Sequence, residues 1–82
     1  MSLRPDRPAI RAVRRAYEAE ASRIGFLLGR DGEQATIEWV KRTLATYRRA
    51  VLNRSHFASS PDFRRLYLAS CACFRRWLAA RT

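Results

Sequence analysis

The run DGEQATIEWVKRTLATYRRAVLN, residues 31–53, decides the fold. Within it Ile37, Val40, Leu44, Tyr47 and Val51 recur in alternating steps of three and four, the period that lines one face of an α-helix. The run also carries its own punctuation. Asp31 stands three residues before Gln34, the spacing of a capping box, and Asn53 suits a helix stop. Asp31-Gly32 is the one candidate hairpin turn, but helical periodicity flanks it on both sides, and no segment sustains a period of two.

The same period extends outward in both directions. Upstream, Ile10, Val13, Tyr17, Ala21, Ile24 and Leu28 trace a second apolar stripe, with Asp6 as N-cap and Pro8 in the first turn. Gly25 and Gly29 each offer an end to that helix. Downstream, Ser59-Ser60-Pro61-Asp62 supplies a cap, a proline at the first helical position and an acid in the first turn. Phe63, Leu66, Tyr67, Ser70, Phe74, Trp77 and Leu78 form the third stripe, and Phe57 in the preceding loop is placed to plug the bundle end. Helices over about 8–28, 32–53 and 61–80, behind a flexible basic stretch at 1–7, predict an all-α fold. The architecture is a single-domain, small antiparallel three-helix bundle over residues 1–82.

Trp39 leaves open whether one chain closes that bundle or homodimerisation completes it. It projects about 140° from Leu44, on the side of Thr43, Thr46 and Ala50. There it either folds over the neighbouring helix or anchors an interface, where Trp is over-represented.

At 82 residues, 48% of them hydrophobic, the chain is one domain and too apolar for a disordered polycation. Residues 66–74 form the longest stretch of the last third free of charge and proline, well short of the roughly 20 residues of a membrane span. The opening MSLRPDRP is charged and lacks the apolar run of a secretory signal, which makes the cytoplasm the expected location. No membrane partner is expected, since a helix lying on anionic lipid needs an apolar face that the regular core period does not leave free.

Charge is the informative quantity. Lys plus Arg number 17 against 7 Asp plus Glu, a formal net charge of +10, and all the bases but Lys41 are Arg. A GC-rich genome explains Arg over Lys but not the excess of bases over acids. That excess attracts phosphates or an acidic protein face, and Arg suits bidentate contact with either. The third helix concentrates it. Arg64, Arg65, Arg75 and Arg76 form two pairs eleven residues apart, about three turns, on the side opposite the apolar face, with Leu68, Ala72 and Ala79 between them. No acid follows Asp62. Arg48 and Arg49 extend the charge onto the second helix, where Glu38 is spaced to neutralise Lys41 and Arg42. In the first helix Glu18 is within reach of Arg11, Arg14 and Arg15, and Glu20 of Arg23.

Catalytic chemistry finds little support. Cys71 and Cys73, about 200° apart on a helix, cannot share a metal or a disulfide and read as small apolar fillers. His56, the only histidine, could act as a base beside Ser55 or Ser59 but has no local acid to orient it except Asp62. There is no phosphate loop, dinucleotide fingerprint or pair of inward acids. No catalytic residue, metal or cofactor is expected. Tyr17, Tyr47, Tyr67, Phe63, Phe74 and Trp77 face inward, unavailable to stack on bases.

The sequence therefore predicts a small basic helical binding protein. Arg64, Arg65, Arg75 and Arg76, assisted by Arg48 and Arg49, dock on a polyanion, foremost the phosphate backbone of DNA or RNA without strong sequence specificity. The alternative is an adaptor or inhibitor, of the kind phage and mobile elements encode, that grips an acidic protein surface such as a nucleic-acid-binding channel, with Trp39 or Leu68 as anchor.

Overall fold

The computed structural model of the chain describes residues 7–53, 57 and 60–81. Three helices make up the fold: α1 (Arg7–Asp31), α2 (Glu33–Leu52) and α3 (Pro61–Ala79). Helix α3 packs against both others, and the contact between α1 and α2 is the smallest of the three. Arg64, near the start of α3, reaches the carbonyl of Val51 at the end of α2, while Arg81, past the end of α3, meets Glu33 at the start of α2. Thus α2 runs antiparallel to α3. A one-residue reversal at Gly32 makes it antiparallel to α1 as well, so the molecule is the expected three-helix bundle.

That reversal departs from the sequence reading. Helix α1 does not stop at Gly25 or Gly29; it continues to Asp31, and Asp31 does not cap α2. Its carboxylate is held by Arg30, which donates from Nε at 2.9 Å and from Nη2 at 2.8 Å, keeping the Asp31 carboxyl below its ordinary pKa. Gly32 takes both boundary roles. Its N–H donates to Leu28 O at 3.1 Å, closing α1, and its carbonyl accepts from the Thr36 N–H at 3.2 Å and the Thr36 hydroxyl at 2.7 Å, opening α2. Its φ of 87° with ψ of 172° is a backbone region essentially confined to glycine. Both earlier glycines sit on an open side of α1, where an added Cβ would meet nothing within 4 Å, so they interrupt no packing. Asn53 ends α2 through its N–H to Arg49 O and Ala50 O, and Ser60 precedes Pro61 at the start of α3 but makes no side-chain cap hydrogen bond there.

Phe74 and Val40, both 0% exposed, anchor the core with Ile24 and Cys73. Tyr17, Leu28, Trp39, Leu44, Tyr47, Trp77 and Leu78 surround them. An aromatic chain runs to the bundle end: Phe74 to Tyr47 at 5.8 Å, Tyr47 to Tyr67 at 4.8 Å, Tyr67 to Phe57 at 5.1 Å between ring centroids. Each such pair adds about 0.5–1.5 kcal/mol beyond area burial. Phe57 is buried there and plugs the end as expected.

Three expected core positions are exposed. Phe63 (58%) lies level with the last residues of α2, and Phe57 already covers Tyr67. Glu20 faces Ser70 across the α1–α3 seam; counted back in that register, Pro61 stands level with Arg11, so Ile10 (43% exposed) lies beyond the start of α3. Ala21 faces the open groove between α1 and α3. Conversely, Ala69, Cys71 and Cys73 are all buried, because α3 is covered on two sides. Cys71 lies toward α2 and Cys73 toward α1, each a free thiol pushed up in pKa by burial.

Candidate anion-binding surface

The outward face of α3 holds the arginines that the sequence singles out. Arg64, Arg65, Arg75 and Arg76 are all exposed. At 100° per residue, eleven residues return to within about 20°, so Arg64 and Arg75 form one row and Arg65 and Arg76 a second, each about 16 Å long. The exposed Leu68 and Ala79 and the half-buried Ala72 lie between the rows. The rows border different seams. Arg64 and Arg75 line the groove between α2 and α3, joined by Arg48 from α2 over a floor of Val51, Leu52, Leu68 and Cys71, a space of about 300 Å³. Arg76 lines the α1–α3 groove with Tyr17, Gly25, Trp77 and Arg81. Arg49 is exposed but belongs to neither groove.

The electrostatics of the α2–α3 groove are one-sided. No acidic side chain lines it. The field of its arginines reaches Cys71: burial raises that thiol's pKa, while Arg75 and then Arg48 pull against the rise. Among the described residues, none of Arg48, Arg49, Arg64, Arg65, Arg75 and Arg76 has a carboxylate within ion-pair distance. The neutralisation expected from sequence spacing is also thinner than read. Arg23 does pair with Glu20 at 3.7 Å, but Glu18 and Glu38 pair with no described base. Both are exposed, where such pairs return little against the entropy of two long side chains.

Two arginines have structural work that spacing did not reveal. Arg64 Nε donates to Val51 O at 3.4 Å, a carbonyl in the last turn of α2 that lacks a helical partner. The guanidinium thus also meets the negative end of that helix dipole. Arg81 stacks 3.8 Å over the Trp77 ring, and its Nε lies 3.2 Å from Glu33 Oε1, tying α3 to the start of α2.

The alternative anchors are far apart in character. Trp39 is half-buried, edge-on to Phe74 at 5.8 Å, with the Arg23 guanidinium 5.9 Å above it. It covers the core, and beside it the Thr43 hydroxyl donates back to Trp39 O at 2.8 Å. Leu68 is 37% exposed, and next to it Leu52, which periodicity did not single out, is 74% exposed. The signal for Leu52 was a second large aliphatic directly after the core residue Val51, which a helix must turn about 100° away.

Among the described residues no group of three His, Cys, Asp or Glu could hold a metal ion, and no helix is long and apolar enough to cross a membrane. His56, Ser55 and Ser59 lie outside the described residues, as does Asp6. Comparison with known proteins finds no matching family model, no similar curated protein and no similar solved structure.

Proposed function

We propose that this chain is a non-enzymatic binding protein of the cytoplasm that docks its arginine face on a polyanion, foremost the phosphate backbone of DNA or RNA. The observation that carries the reading is the set of six exposed arginines, on a chain of net charge +10, with no carboxylate partner among the described residues. Unpaired guanidiniums on one face repel one another, and a ligand rich in phosphate relieves that cost while releasing its own counterions. The aromatic rings support contact with the backbone rather than with bases. Phe74 and Phe57 are buried, and Tyr47, Tyr67 and Trp77 are half-buried. Phe63, beside Arg64 at the start of α3, is the one exposed ring of that helix, so the arginine rows run along α3 without a series of rings on which successive bases could stack.

Fluorescence anisotropy with generic duplex DNA, single-stranded DNA and RNA tests this at about 50 and about 200 mM salt, a range over which several neutralised phosphates weaken binding by about a thousandfold. Replacing Arg64, Arg65, Arg75 and Arg76 together by Gln should abolish binding. Absence of binding at the lower salt refutes the reading.

A further inference from the structure

The groove between α2 and α3 is more than a row of charges. Leu52 and Leu68 stand open on its floor between Arg48, Arg64 and Arg75. The apolar surface continues past the end of α2 over Val51, Leu52, Phe57 and Pro61, still with Arg64 at its edge. A phosphate backbone gives leucine nothing to contact, and no ring in the groove could stack on a base. A bilayer surface is flat and would meet the arginine rim while leaving the concave floor empty. A second copy of the chain would bring its own charge of +10 against the same rim.

We propose that this groove receives one acidic amphipathic helix of a partner protein, which lies along α2 and α3 as a fourth helix of the bundle. This goes beyond the phosphate reading and does not rest on it: Arg48, Arg64 and Arg75 serve either ligand in turn, but only an acidic amphipathic helix also covers the leucines of the groove. Apolar residues of the partner at steps of three and four cover Leu52, Leu68 and Val51, the helix-in-groove mode of recognition. Asp and Glu on the flanks of that stripe meet Arg48, Arg64 and Arg75, whose guanidiniums take carboxylates in bidentate fashion. Arg64 and Arg75 are about 16 Å apart along α3, so the occupant is a helix of about three turns or more. Charge complementarity sets the partner's sign, and the exposed leucines require that it be amphipathic rather than merely acidic.

The test uses the full chain and four labelled probes: a helical peptide of about 14 residues with a leucine stripe flanked by Glu, the same peptide with Ser for Leu, the same with Gln for Glu, and a duplex DNA of similar length. Vesicles containing anionic phospholipid are a fifth. The Leu/Glu peptide should bind, each altered peptide should bind about tenfold more weakly or worse, and Leu68→Ser and Arg75→Gln should each reproduce such a loss. Leu52 and Leu68 are exposed, so Leu52→Ser and Leu68→Ser keep the helical circular dichroism, and amide shifts on binding should cluster on residues 48–52, 64, 68 and 75. Equal binding of the Ser-for-Leu peptide reduces the groove to a charge sink and overturns the proposal. So do indifference to Leu68→Ser, binding of DNA or vesicles but not of the Leu/Glu peptide, and failure of every probe to bind. The phosphate reading fails separately, on the DNA and RNA probes at low salt.

Discussion

Helix α3 has two flanks, and they are built on opposite electrostatic plans. Toward α1 it buries a carboxylate: Glu20 accepts a hydrogen bond from Ser70 Oγ at 3.3 Å, while its other oxygen has no hydrogen-bond partner, with Arg23 3.7 Å away. Toward α2 the acid that meets it is Glu33, paired with Arg81 at the far end, and no acid lines the groove where three arginines stand around leucines. The two cysteines, two residues apart, sample both settings. Burial raises both thiols, but Glu20 adds to the rise at Cys73, whereas Arg75 and Arg48 oppose it at Cys71. Beside the α1 seam Glu20 has Arg23 as a partner within the chain. The arginines of the α2 groove have no such partner among the described residues, which is why the acidic-helix reading rests there.

The largest expected effect ties the flanks together. Phe74 is fully buried and belongs to both sides, so Phe74→Ala should cost about 3–5 kcal/mol, much of the stability of a domain this size. Urea unfolding followed by circular dichroism measures it. A loss below about 1 kcal/mol would mean that each flank holds without the shared ring. On the α1 flank alone, Glu20→Gln keeps an acceptor for Ser70 and removes a buried charge. Stability should rise by up to about 1 kcal/mol, and a fall of that size would show that the Arg23 pair outweighs the burial cost. Gly25 offers a smaller gain on the same flank. It is helical and an added Cβ meets nothing, so Gly25→Ala should stabilise by about 0.5–1 kcal/mol in the same assay.

The finest comparison is between the thiols. Both are buried, so alkylation at neutral pH should be slow for each; peptide mapping should find Cys71 modified before Cys73, because its arginines favour the thiolate and Glu20 disfavours it. The reverse order would break the contrast between the flanks. The linkage follows from the raised values. A folded state that holds thiol protons above the ordinary value of 9.0 is favoured fully below that value and loses the advantage as pH rises through the folded-state pKa. Cys73→Ala should therefore flatten the alkaline fall in stability more than Cys71→Ala does.

Periodicity made the three helices legible, since Ile37 to Val51 and Leu66 to Leu78 can bury one face in no other form. Asn53 and Pro61 stand at helix ends because their backbone preferences are local, whereas the Ser60 hydroxyl caps nothing. The turn at Gly32 was hidden because two residues competed for the cap, and only the partner of Asp31, its neighbour Arg30, decides between them. The arginine rows followed from spacing alone. Their split between two grooves did not, since it depends on where α1 and α2 flank α3. Glu20 resembled an ordinary surface partner for Arg23, and nothing local distinguished it from Glu18, which stays exposed.

The position of α3 as the helix on which both others depend has a consequence for biogenesis. The α1–α2 hairpin turns within one residue, yet it has the smallest contact of the three pairs and lacks Phe74. During translation it would emerge first and remain a fluctuating pair of helices, its apolar stripes open to chaperones or proteases. Closing α1 onto α3 brings together residues fifty apart, such as Glu20 and Ser70. Cooperative folding therefore waits until α3 has left the ribosome, and a nascent chain halted before Phe74 has no native state to reach.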